Sequence, residues 1–454
     1  MHGYAYESDT IAAVATAPGK GGIAIVKVSG PDAVSLVQQV FSGTYDPERL
    51  VRRMVHGYIN DNGEHIDEVL VCVMKSPHSY TGEDVVEVQS HGGTAAATSI
   101  LSLLIQRGAR HAAPGEFTRR AFMNGKIDLA QAEGVMEVVS AANRAHLKRA
   151  ERLLDGLFSR HIDNLLEQLG TSLALIEYRI EFAEVSDEDG NLEEIRVILA
   201  GVTSTLETMI ASFPTARRIK DGLNVVIAGA VNVGKSSLFN TLLGRKRAIV
   251  NKREGTTRDW IEEKIELDGI AVNLIDTAGL RDTDDDIERE GVHQTRHLLQ
   301  KADIIISLHD PEEQSRLLDS AADQSPTIPV LSKSDLPGRT DGAPDILAVS
   351  SVTREGIDTL ISKLSSLARD MITIGDADAL VLVDRHQKEL REAYKHLAHA
   401  CLLLETNIAG RGPLSEELVA DEIHRALNHL ELVIGEHVSL DILDEIFSRF
   451  CVGK

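Results

Sequence analysis

Asn224-Val225-Val226-Ile227-Ala228 is a short apolar run that leads without a break into Gly229-Ala230-Val231-Asn232-Val233-Gly234-Lys235-Ser236. A strand, a glycine-bounded loop ending in Lys-Ser and then a helix is a context in which backbone N–H groups can point at phosphate oxygens. The glycines permit the tight curl, Lys235 can reach the terminal phosphates, and the Ser236 hydroxyl can ligate magnesium. A Gly-rich turn that carries Lys-Ser by chance is a poor alternative in that setting. The loop alone does not separate an adenine from a guanine nucleotide.

Outward from this loop, residues 223–365 alternate strand-like and helix-like segments, as a mostly parallel sheet requires. Strands are expected at 224–228, 260–267, 271–275, 303–308, 327–331 and 346–349, with Asp268-Gly269 as a tight hairpin turn. Three further segments narrow the base. Asp276-Thr277-Ala278-Gly279 ends the third strand, where an Asp can hold magnesium through water and a Gly amide can sense the terminal phosphate. Gly255-Thr256-Thr257-Arg258-Asp259 falls where a switch threonine is needed. Ser332-Lys333-Ser334-Asp335 follows the fifth strand, and Asp335 can accept the N1–H and amine hydrogens of guanine. Ser332 occupies the position of the usual Asn in Asn-Lys-x-Asp and is shorter, which lowers the expected guanine affinity.

The flanks have other rhythms. Residues 1–120 carry β-like runs at 23–28, 69–74 and 85–89 with helical stretches at 32–41 and 94–107, a small α+β arrangement. From about Lys126 apolar residues recur at helical steps: Leu147, Leu153, Leu154, Leu157, Phe158, Ile162, Leu165, Leu166 and Leu169. Helices are expected again at 383–405, 415–434 and 439–450. Helical segments on both sides of an α/β unit point to one discontinuous helical domain into which the other is inserted, since either half alone would expose a long apolar stripe. The fold class is multidomain α+β, with boundaries at 1–122, 123–220, 221–374 and 375–454.

Composition sets limits. The chain of 454 residues is 43% hydrophobic and 26% charged, ordinary values for a globular protein. No apolar run is expected to reach the roughly 20 residues of a membrane span, and the N-terminus lacks a secretory pattern. Cys72, Cys401 and Cys451 are too few for a disulfide framework and fit a cytoplasmic setting. The formal charge of −23 argues against broad nucleic-acid binding, so any RNA contact is local or supplied by a partner. Asp187, Asp189 and Asn191 imitate a calcium loop, but Leu192 and Ile198 stand where its Gly and Glu belong. His396 and His399 share a helix face without a third ligand type in pattern, so a solvated or packed pair is expected.

Several further stretches carry a signal of their own: Pro18-Gly19-Lys20-Gly21-Gly22-Ile23, Ser79-Tyr80-Thr81-Gly82-Glu83-Asp84, Pro114-Gly115-Glu116-Phe117-Thr118, Lys126-Ile127-Asp128-Leu129-Ala130-Gln131-Ala132-Glu133 and Phe450-Cys451-Val452-Gly453-Lys454. Together they resemble the MnmE (TrmE) family of tRNA-modification GTPases. The resemblance implies a potassium-activated GTPase bound through Asn232, Val233, Gly234, Lys235, Ser236 and Ser237, the segment Asn251, Lys252, Arg253, Glu254, Gly255, Thr256 and Thr257, Asp276 to Gly279, Lys333, Asp335, and Ser350-Ser351-Val352 over the base. It gives magnesium to Ser236 and Thr257 and potassium to Asn232, Asn251, Arg253 and Thr256. Asn251 stands where relatives often have Thr. Leu280 cannot orient a water, and the resemblance assigns that work to Glu288, in a loop ordered when two such domains meet.

By the same resemblance the N-terminal domain binds 5-formyltetrahydrofolate or a related one-carbon folate and dimerises. Lys27, Glu87, Lys126 and Lys454 are its folate residues, Lys27 standing in for a commoner Arg and losing the bidentate fork. Cys451 is a candidate nucleophile or a residue that anchors the tail, while Cys72 and Cys401 are expected in the core. The implied partners are tRNA and an FAD-dependent protein of the MnmG (GidA) type in a heterotetramer. Together they place a carboxymethylaminomethyl or aminomethyl group on C5 of the wobble uridine. A regulatory GTPase of ribosome assembly and a folate-dependent transferase acting alone are the rival readings.

Overall fold

The computed structural model describes residues 9–43, 52–181, 190–230, 232–245, 261–277, 297–309, 325–336, 346–373, 381, 383–408 and 416–454. The acidic stretch that imitates a calcium loop lies largely outside them. The chain forms two compact units: Met1–Met136 with Leu153–Leu173 and Ile423–Lys454, and Glu137–Arg152 with Ala174–Glu422.

The first unit is built on a sheet of β1 (Ile11–Val14), β2 (Ile23–Ser29), β3 (Phe41–Gly43), β4 (Met54–Asp61), β5 (Glu64–Met74), β6 (Val85–His91) and β7 (Arg110–His111). The order across it is β3-β4-β5-β6-β2-β1-β7. Alternation along each strand sends Val26, Val28, Val71, Val73, Val86 and Val88 to one face, where α1 (Ala33–Val40) and α2 (Thr94–Gln106) cover them with Leu36, Val37, Ile100 and Leu104. Phe41, expected to end α1, instead opens β3 and pairs with Ile59. The opposite face carries Lys27, Glu87 and Cys72 side by side, because Lys27 pairs with Glu87 and Glu87 with Cys72. The helices α3 (Glu116–Met123), α4 (Leu129–Ser140) and α12 (Leu440–Ser448) follow in this unit. α4 starts with a reciprocal cap: Gln131 N–H donates to Asp128 Oδ1 at 2.8 Å and Asp128 N–H to Gln131 Oε1 at 3.0 Å. Leu129 and Ala132 pack with Leu443, Phe447 and Phe450, tying the C-terminal residues to the middle of the chain.

The expected long stripe breaks in two. Leu147 lies in α5 (Arg144–Leu154) and is exposed, whereas Phe158, Ile162, Leu165 and Leu169 are buried along α6 (Leu157–Glu181). Gly156, at φ 72, turns the chain between them.

The second unit holds the other sheet: β8 (Leu223–Gly229), β9 (Ile261–Leu267), β10 (Ile270–Asp276), β11 (Ile304–His309), β12 (Thr327–Leu331) and β13 (Leu347–Ala348), in the order β13-β12-β11-β8-β10-β9. All pairs are parallel except β9–β10, whose Asp268-Gly269 turn has φ 49 and 84 as a two-residue hairpin demands. Both faces are covered, which is why β8 reads as a continuous apolar run. Leu238, Leu242, Leu360 and Leu364 pack on Val225 and Ile227, and Leu298 and Leu299 on Val226 and Ala228. Here α8 is Lys235–Arg245, α9 Ile357–Thr373 and α10 Asp384–Ile408, while α11 (Glu416–Ile434) begins in this unit and lies mostly in the first.

One helix comes nearer to the length of a membrane span than the sequence suggests. Within α7 (Gly190–Asp221), Leu192–Asp221 is long and apolar enough to cross a membrane by length and composition alone, with a mean hydropathy of 1.3. Its charges gather near the ends, leaving only Glu207 between residues 197 and 216, where Thr and Ser interrupt the apolar residues and hide the run. Ile195, Leu199, Val202, Leu206 and Phe213 form one buried stripe along it, the pattern of an amphipathic core helix.

Candidate functional site

Because β8, β10, β11, β12 and β13 run in parallel, their C-terminal ends share one edge of the sheet, where ligands of open α/β folds bind. The loop after β8 curls through left-handed positions at Asn232 (φ 64) and Gly234 (φ 109) before α8 starts at Lys235. The Lys235 ammonium is nearly buried and donates to the carbonyls of Gly229 (3.0 Å) and Ala230 (2.8 Å), so it is already folded back over its own loop. Val233 is buried in the core beneath, and Ser236 and Ser237 are exposed in the first turn of α8. A hydroxyl and a cation at the N-terminal turn of a helix suit an anionic phosphate and its metal.

At the end of β10, Asp276 is buried and the Thr277 hydroxyl donates to the Ile227 carbonyl at 2.8 Å, fixing the end of β10 to the neighbouring strand β8. At the end of β12, the Ser332 hydroxyl donates to the Val233 carbonyl at 2.6 Å. The side chain that seemed too short to reach a base is therefore committed to the phosphate loop. Lys333 takes φ 59, and Asp335 accepts a 2.6 Å hydrogen bond from Ser350. Ser350 is fully buried and in turn accepts from the N–H groups of Val352 and Thr353, while Val352 is 82% exposed and Ser351 half-buried. The structure thus brings Asn232 to Ser237, Asp276, Thr277, Lys333, Asp335 and Ser350 to Val352 to one edge. Residues 251–257, Ala278, Gly279 and Glu288 lie outside the described residues.

The folate candidates belong to the first unit. Lys27 Nζ stands 4.0 Å from Glu87 and 5.4 Å from the ring centroids of both Tyr80 and Phe117. Burial pushes the Lys27 amine below its ordinary range; Glu87 opposes that and the nearby Lys454 adds to it. Gly453 passes so close to β1 that a Cβ there would sit 2.6 Å from the Val14 carbonyl. Lys126 Nζ donates to the Pro77 carbonyl at 2.9 Å, at the base of the loop bearing Tyr80. Lys27, Glu87 and Lys454 thus converge, with Lys126 on the adjoining loop. Cys451 is exposed, and its carbonyl accepts from the N–H groups of Gly115 and Lys454. Cys72 and Cys401 are half-buried rather than in the core, Cys72 facing Glu87 across the strands. His396 and His399 both hydrogen-bond to Glu422, at 2.6 and 2.9 Å.

Sequence reasoning missed Ser332 as a tether, the two rings around Lys27, and the buried Arg120. Nothing in the run Thr118-Arg119-Arg120 distinguishes the guanidinium that ends up buried among Asp9, Glu83 and Glu116.

The family described as "GTP-binding protein TrmE N-terminus" matches residues 10–126, and "MnmE helical domain" matches 129–451. The protein named tRNA modification GTPase MnmE from Moorella thermoacetica is 40% identical over 98% of this chain and 99% of its own. The protein of the same name from Geobacter sulfurreducens is 40% identical over 99% of this chain and all of its own. Among solved structures, the G domain of a T. maritima FeoB iron transporter is 28% identical and covers 32% of this chain and 98% of its own. Its TM-score of 0.26 is too low to carry an argument, and the strand order above stands without it. Matched by both family descriptions and by relatives of its own length, the chain belongs to the MnmE (TrmE) family of tRNA modification GTPases.

Proposed function

We propose that the chain hydrolyses GTP, with magnesium and potassium as activators, and so serves the addition of a carboxymethylaminomethyl or aminomethyl group to C5 of the tRNA wobble uridine. It acts in the cytoplasm as a homodimer, joined in a heterotetramer by an FAD-dependent partner of the MnmG (GidA) type. The observation that carries this reading is the gathering of phosphate loop, Thr277 and base loop on one sheet edge, in a chain whose full-length relatives are named tRNA modification GTPases.

The residues divide the work. Lys235 exchanges the Gly229 and Ala230 carbonyls for the terminal phosphates, so a buried cation never lacks acceptors. Asp335, aimed by Ser350, accepts the guanine N1–H, and Val352 lies open to the base. Glu288 orients the attacking water, a task that Leu280 cannot perform. Ser236 and Thr257 would hold magnesium, and Asn232, Asn251, Arg253 and Thr256 potassium; these ions supply positive charge where the phosphates gain negative charge. Lys27, Lys126 and Lys454 would meet the carboxylates of a one-carbon folate and Glu87 the donors of its pterin, a donor set that fits the Lys27–Glu87 pair beside the Tyr80 and Phe117 rings.

Hydrolysis measured with magnesium in KCl and in NaCl tests the proposal. Turnover should be markedly faster in KCl, and equal rates in both salts would remove potassium from the account.

A further inference from the structure

Lys27 does not stand alone on its face of the sheet. Phe117 is fully buried, but Tyr80, at the same 5.4 Å from the amine, is 37% exposed and leaves part of its ring open to a ligand. The loop carrying Tyr80 is held from several directions. Tyr80 and Thr118 share a hydrogen bond between their hydroxyls at 2.9 Å. Asn124 donates to the Thr81 carbonyl at 2.7 Å, and Ser79 donates to the Glu83 carbonyl at 2.5 Å. Ser29 donates to Glu83 at 2.7 Å and shares a hydrogen bond of the same length with Thr81. Buried Arg120 donates to both Glu83 oxygens at 3.2 and 3.1 Å and to Asp9 at 2.6 Å. So many buried polar groups on a loop of a few residues fix one conformation, since breaking any of them leaves a partner unsatisfied.

We propose that Tyr80 is a ligand-contacting residue beside Lys27, offering its ring to the flat heterocycle of a reduced folate. Thr118, Glu83 and Arg120 are positioning residues that hold the ring there. This rests on the reading of the Lys27 and Glu87 face as a one-carbon folate site. An aromatic face beside a desolvated amine suits a ligand with a planar ring at one end and anionic groups at the other.

The test is titration of the full-length chain with 5-formyltetrahydrofolate by calorimetry, alongside thermal unfolding. Tyr80→Ala should weaken binding about tenfold or more while Tyr80→Phe, which keeps the ring, costs only about threefold. Thr118→Val should match Tyr80→Phe, and the double variant should be no weaker than either, because both remove one shared bond. Unfolding midpoints close to the parent separate this from a merely structural role. Undiminished binding by Tyr80→Ala, in a chain whose Lys27→Ala variant loses the ligand, overturns the inference and leaves the folate reading intact. A parent chain that fails to bind 5-formyltetrahydrofolate overturns both.

Discussion

The hydroxyl of Ser332 is spent on the Val233 carbonyl, so the loop after β12, proposed to read the base, is tied to the loop after β8, proposed to hold the phosphates. A neutral hydrogen bond of this kind contributes about 1 kcal/mol. Ser332→Ala should therefore weaken GTP and GDP alike by roughly three- to tenfold, with turnover at saturation little changed, as a fluorescent-nucleotide titration would reveal. A variant that binds as tightly as the parent would remove the tether from the account. Glu288→Ala is expected to bind nucleotide normally and to hydrolyse it slower by orders of magnitude in single-turnover assays. At this scale the sequence was readable wherever chemistry and spacing coincide, as from Gly229 to Ser236. The Ser332 contact joins residues 99 positions apart, and local pattern carries no trace of such a bond.

Elements were legible to the extent that burial is one-sided or continuous. All six strands of the second sheet fall where apolar runs and the Asp268-Gly269 turn put them, because a sheet covered on both faces leaves a plain apolar signature. The break between α5 and α6 was not visible, since Leu147 keeps the helical step while facing water. The apolar length of α7 was hidden by its hydroxyl residues. Along α7, Leu206 is fully buried and Val197 is 57% exposed, although both are apolar. Leu206→Ala should cost about 2–5 kcal/mol in urea unfolding. Val197→Ala should stay within about 0.5 kcal/mol. Equal costs at the two positions would contradict the burial of that stripe.

On the scale of the whole molecule, charge matters as much as packing. The hydrogen bond from Arg110 holds the Asp9 carboxyl below its ordinary 3.8, with Arg120 aiding it. A depressed folded-state value means that this contribution is complete above 3.8 and is lost as pH falls through the folded value. Asp9→Asn should therefore flatten that part of the acid limb in a plot of unfolding midpoint against pH, and an unchanged limb would deny the network its role. A net charge of −23 disfavours broad attraction to phosphate backbones, so under the proposed function tRNA should be held by a local patch or by the proposed partner. The measurement that bears most directly on the central claim is mass spectrometry of wobble uridines in bulk tRNA from a strain lacking this chain. The substituted uridines should disappear, return with the parent chain and stay absent with Lys235→Ala; undiminished wobble modification in the deletion strain would contradict the account.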